Sequence, residues 1–227
     1  MHAREVVTMG LFNKKRSVGA LGDQALAAIK DELDSVLSVA KSYDQVMLSK
    51  ADGIIISLEG RIRGDLLAFM LYLSGIEKGV DPNEILTVNK LFDIDLSHVD
   101  FQIFRSDVSD RNFERSVPPA IWLTLELGDT LEREARKEEG NEEDAEPTGM
   151  LAQTFADDLI NAYALIGSAF ISADSTVTER ESGDLVRYLY LMNDAVHGQG
   201  APLPAGAATR AEQAHVRLFG QKPKRRK

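Results

Sequence analysis

A chain of 227 residues with 44% apolar residues is long enough to bury one core of its own, and the absence of cysteine excludes a disulfide framework and thiolate chemistry. The formal charge of −10 is uneven: residues 1–16 carry +3 and residues 217–227 carry +6, so the stretch between carries −19. An acidic body of that kind repels phosphate backbones, which argues against broad nucleic-acid binding. No apolar run approaches the roughly 20 residues of a membrane span, and no signal-peptide core follows the first basic residues, so a cytoplasmic location is expected.

The segment MHAREVVT precedes Met9, leaving Met1 and Met9 as alternative starts. Gly10-Leu11-Phe12 followed by Lys14, Lys15 and Arg16 can touch an anionic membrane surface weakly, although a frayed terminus over residues 1–18 is the simpler expectation. From Asp23 to about Ser49, Leu26, Ile29, Leu33, Val36, Leu37, Ala40 and Tyr43 recur at helical spacing. Asp52-Gly53 ends that helix, and Gly53–Ile56 is the only strand-like stretch. Ser57 is placed to cap a second helix reaching Gly79. Asp81 and Pro82 suit the N-cap and first positions of a third helix ending at Phe92. Ser97 and either Asp107 or Ser109 then suit the caps of two short helices. Val117-Pro118-Pro119 opens a helix through Ile121, Trp122, Leu125 and Leu131.

Between Glu126 and Glu146 ten acidic residues face Arg133, Arg136 and Lys137, and Gly140, Pro147 and Gly149 break helices. Residues 137–148 are therefore expected to form a mobile acidic loop. A further helix pair follows. Leu159, Ile160, Tyr163, Ile166 and Phe170 lead into the loop from Ala173 to Glu181, and Leu185, Val186, Leu189 and Met192 line the helix beyond it. Thr178 with Glu181 three residues on is a capping box. Gly198, Gly200, Pro202, Pro204 and Gly206 read as a linker, and residues 198–227 end in a basic tail, KPKRRK, after a loose helix over 207–219.

Shifting the chain by 97 positions lays Asp174 on Glu77, Val177 on Val80, Thr178 on Asp81 and Glu181 on Glu84. Leu66, Phe69 and Leu73 fall on Tyr163, Ile166 and Phe170. The fold expected is therefore all-α, with a duplicated helix–acidic loop–helix unit inside one domain over residues 19–197. Asp52 and Glu59 repeat the acidic spacing, but Ser49 and Lys50 break the apolar match.

The four histidines, His2, His98, His197 and His215, include no His-Asp pair in sequence. Glu212-x-x-His215 is half of a di-iron signature and lacks the second helix that such a site needs. GIEKGV lacks the lysine-serine ending of a phosphate loop. No catalytic constellation emerges, so no enzymatic activity is expected. Two readings stand for the loop acids. Asp174, Glu181, Glu77 and Glu84 can offer oxygen ligands to a hard cation such as calcium or magnesium. Alternatively they are capping residues, which accounts for every residue type present, and any cation binding is then weak.

FISADSTVTERESGDLVRYL, with IEKGVDPNEILTVNKLF as its partner copy, resembles the repeat of the TerB-like (tellurite-resistance) family across about residues 57–196. Ser175 stands where the family has glycine, and Glu77-Lys78 stand for Asp-Gly. The resemblance implies a TerB-like helical bundle and a metal site on the acidic loops. It further implies a scaffold in a bacterial stress-response or membrane-associated assembly, alone or alongside an AAA+ ATPase. A non-catalytic interaction protein without a resident cofactor is the expectation, and a divalent-metal-responsive regulatory domain is the alternative.

Overall fold

The computed structural model describes residues 16–17, 23–50, 57–74, 81–109, 116–138, 148–173, 176–204 and 206. It is an all-α bundle. The helices are α1 (Asp23–Lys50), α2 (Leu58–Ser74), α3 (Pro82–Phe92), α4 (His98–Ser109), α5 (Pro119–Glu138), α6 (Met150–Ala173) and α7 (Glu179–His197). Two strands of two residues each, β1 (Arg16–Ser17) and β2 (Thr176–Val177), pair antiparallel, Arg16 opposite Val177.

Helix α6 sits at the centre because its sequence is apolar on nearly every side. Phe155, Leu159, Ile160, Tyr163, Ala164, Ile166 and Phe170 are all buried. A helix of that kind needs neighbours all round, and α1, α2, α3, α5 and α7 all pack against it. Two glycines permit the closest approaches. A Cβ on Gly128 of α5 would lie 2.5 Å from Ala152 Cα of α6, and one on Gly167 would meet Leu185 and Phe69. Phe69 stacks on Tyr188 with centroids 4.9 Å apart and meets Tyr163 edge-on at 5.2 Å, joining α2, α6 and α7. The two helix pairs of the internal repeat pack together, with α2 and α3 both on α6 and α2 also on α7.

Several expected boundaries change. Asp107 and Ser109 lie inside one helix, α4, rather than capping a second, since Phe101 and Val108 keep a single buried face along it. Helix α6 begins at Met150, nine residues before the apolar repeat that announces it in sequence. The helix from Pro119 continues through Lys137 to Glu138, so the first two residues of the expected acidic loop are helical, and residues 139–147 of it lie outside the described residues. The N-terminal stretch expected to be free includes β1, whose two-residue pairing is too short to leave a periodicity. Residues 198–204 form a packed segment rather than a free linker. Gly198 and Gly200 turn the chain at φ +88 and +83, Leu203 reaches the core, and Asn193 Nδ2 donates to Ala201 O at 3.1 Å. Proline and glycine there set a turn, which composition alone reads as a linker. The expected extension of α2 to Gly79, the strand-like 53–56, the helix over 207–219 and the basic tail lie outside the described residues.

Candidate functional site

Glu84 and Glu181, two of the four candidate ligands, occupy equivalent places in the repeat, and both are buried. Thr178 N–H and hydroxyl donate to Glu181 Oε2 at 2.8 and 3.0 Å, while Glu181 N–H donates back to Thr178 Oγ1 at 3.2 Å. In the other copy Asp81 N–H donates to Glu84 Oε2 at 3.0 Å, and Asp81 Oδ1 accepts from Asn83 N–H at 2.8 Å. Both are complete capping boxes. Each closes a helix start by satisfying backbone donors that the helix itself leaves open. Each of these carboxylates accepts from the backbone nitrogen of its own N-cap residue. The other two candidates, Asp174 and Glu77, lie outside the described residues. Among the described residues no three His, Asp or Glu side chains gather closely enough to hold a metal ion.

Three further carboxylates cap helices from a distance, and sequence spacing gave no sign of them. Asp44 of α1 is buried, and its Oδ1 accepts from Leu58 N–H at 2.7 Å. Its Oδ2 accepts from Ser57 Oγ at 2.7 Å and Glu59 N–H at 3.1 Å. Ser57, expected as the cap of α2, also accepts from Gly60 N–H at 3.1 Å, so that helix start is held twice. Asp65 of α2 accepts from Ala120 N–H at 2.7 Å. Pro119 has no N–H, so Ala120 offers the first donor of α5. Glu132 of α5 accepts from Thr148 N–H at 2.8 Å, from its hydroxyl, and from Gly149 N–H at 3.1 Å, fixing the turn into α6. Those bonds to Thr148 hold the Glu132 carboxyl below its ordinary range, and Ser97 does the same for Asp100 at the start of α4. Helix macrodipoles favour negative charge at all these positions.

Asp65 also lies close to the aromatic cluster. Burial raises its pKa, an effect opposed by the Ala120 N–H and by the Arg61 charge. Burial together with the Asp65 charge pushes the Tyr163 and Tyr188 hydroxyls above their ordinary value, with Tyr188 itself adding to the shift at Tyr163. The Tyr163 hydroxyl is wholly enclosed and has no hydrogen-bond partner among the described residues. Such a group sits in the core as an aromatic body whose polar end is unmatched, at a cost to stability.

Of the histidines, His98 is exposed and bonded to Gln102, and His197 Nε2 lies 2.6 Å from Asp157 Oδ1, joining the end of α7 to α6. The His-Asp pair absent in sequence thus forms across 40 residues. His2, His215 and Glu212 lie outside the described residues.

The outer face of α4 differs from the carboxylate-capped turns. Val99, Ile103 and Phe104 are 62%, 54% and 43% exposed, three of the nine large apolar side chains exposed among the described residues. All three lie on α4, where Val99 and Ile103 are surface neighbours one turn apart and Phe104 stands across Asp100 and Asp107 from them. Elsewhere Trp122 on α5 and the pair Met150 and Leu151 at the start of α6 are also exposed. No described helix is long and apolar enough to cross a membrane. No protein-family model, curated protein or solved structure matches the chain.

Proposed function

We propose that this protein is a non-catalytic interaction domain of the TerB-like type, acting by binding a protein partner within a larger assembly. The carrying observation is how its functional groups are distributed. The described acids of the duplicated turns are committed to helix starts, whereas an apolar patch on α4 faces solvent. Carboxylates held by backbone N–H groups contribute to the fold and leave little for turnover or metal chemistry. An apolar patch of this kind on a charged body is a feature of surfaces that bind other proteins. A scaffold in a stress-response, membrane-associated or ATPase-containing assembly is the reading that the family resemblance favours.

Affinity capture of the intact chain, with chemical cross-linking before lysis, tests this directly. A protein recovered in stoichiometric amount and retained through gel filtration is the expected result. A chain that migrates alone after cross-linking contradicts the proposal.

A further inference from the structure

Helix α4 packs on α2 and α3 through Phe101, Val108 and Arg105, whose guanidinium reaches Ser74 O at 3.4 Å. Positions three and four apart are neighbours on a helix surface. Val99 therefore adjoins Ile103, Asp100 adjoins both Ile103 and Phe104, and Asp107 adjoins Ile103 and Phe104. All five side chains are exposed. Residues 91–109 hold four aspartates, Asp93, Asp95, Asp100 and Asp107, against the single cation Arg105 on the inward side. Asp93 is paired with Lys30 at 2.7 Å, so the strip's own surplus comes from Asp95, Asp100 and Asp107. Asp100 keeps its charge down to low pH because Ser97 holds its carboxyl below the ordinary range.

From this juxtaposition we infer that the outer face of α4 is a docking strip for a cationic amphipathic helix of a partner protein. Its apolar stripe would cover the Val99–Ile103 ridge, and lysines or arginines along one flank would face Asp100 and Asp107 beside that ridge. The 12 residues of α4 give a strip about 18 Å long, enough for three turns of an incoming helix. Apolar anchors at successive turns set that mode of recognition, and charge sets orientation and encounter rate. The charge pattern also selects among occupants. A second copy would set aspartates against aspartates, and an anionic bilayer would meet the same carboxylates. This inference rests on the interaction reading above and adds the partner's chemistry to it.

The test uses the intact chain and a fluorescein-labelled 18-residue peptide with leucines at helical spacing flanked by lysines, with binding read by anisotropy. Ile103→Asp and Asp107→Lys should each weaken binding about tenfold, the size expected for losing one anchor. Met150→Asp, the same kind of change at the exposed first residue of α6, should leave it unaltered. Both α4 variants should melt with the wild type, since the two side chains are exposed. The inference is overturned if Ile103→Asp has no effect or if Met150→Asp matches it. It is equally overturned if the strip proves to hold another occupant. That outcome would be a sedimenting dimer dissolved by Ile103→Asp, adsorption to phosphatidylserine vesicles lost with it, or tighter peptide binding after deletion of residues 207–227. A captured partner whose retention ignores Ile103→Asp would remove this inference and leave the interaction reading standing.

Discussion

Helices α3 and α7 are capped by their own acids, whereas α2, α5 and α6 take a carboxylate from another helix, α2 in addition to its own Ser57. In α3 and α7 the capping acid lies three residues past the N-cap and closes a local ring of bonds. In α2, α5 and α6 the acid comes from another helix: Asp44 across 14 residues, Asp65 across 55 and Glu132 across 16. A local box helps its helix form even in isolation. A borrowed cap exists only once two helices have docked, so it joins secondary structure to tertiary packing. The loop acids that invite a metal reading belong to the first group.

The comparison can be broken most forcefully at Asp44. Replacing it by alanine strands Leu58 N–H at a buried position and takes an acceptor from Glu59 N–H and the Ser57 hydroxyl at its partly exposed edge, and is expected to cost about 3 kcal/mol in urea unfolding. A cost below about 1 kcal/mol would show that Ser57 caps α2 unaided. Thr178→Ala in the self-capped α7 removes one acceptor for Glu181 N–H, and about 1 kcal/mol is expected. The smaller loss is expected because the change leaves Glu181 in place.

This distinction also decides what the sequence could reveal. Thr178 with Glu181, and Asp81 with Pro82 and Glu84, are short-range signatures, and each marks the start of its helix directly. The span Pro82–Phe92 was read in full for the same reason. The apolar spacing of Ile29, Leu33, Val36, Leu37 and Ala40 located the buried face of α1, and all five are buried. Asp44 and Asp65, by contrast, look like ordinary polar positions on amphipathic helices. Their partners are chosen by packing, which no local pattern records. The same holds for His197 with Asp157, and for Leu203, which turns a glycine-proline stretch into part of the core. The exposed side of α4 has no local signal of its own, because it is set by α2 and α3 packing on the side that holds Phe101 and Val108.

Smaller effects sharpen the account. Because burial raises the Asp65 pKa, its ionised form weighs against folding near neutral pH, and stability is gained as pH falls through the raised folded value toward the ordinary one. Asp65→Asn keeps an acceptor for Ala120 N–H and removes the charge. It is expected to be at least as stable as wild type at pH 7, with the gap closing toward pH 4. A gap that widens on acidification would show that the Ala120 bond and Arg61 outweigh burial. The smallest effect concerns cations. With Glu84 and Glu181 bound to backbone nitrogen, calcium or magnesium at a few millimolar is expected to shift the melting temperature by less than about one degree. A rise of several degrees that Glu181→Gln abolishes would favour the metal-responsive alternative.

One paired measurement tests the difference between borrowed and local caps most directly: urea unfolding of Asp44→Asn beside Glu181→Gln. Both Asp44 oxygens accept, Oδ1 from Leu58 and Oδ2 from Ser57 and Glu59, so an amide must turn an NH2 group against a backbone donor. Glu181 receives both Thr178 bonds at Oε2, which a glutamine oxygen can replace. Asp44→Asn is expected to lose about 2 kcal/mol more than Glu181→Gln. Equal losses, or a greater loss for Glu181→Gln, would contradict the account.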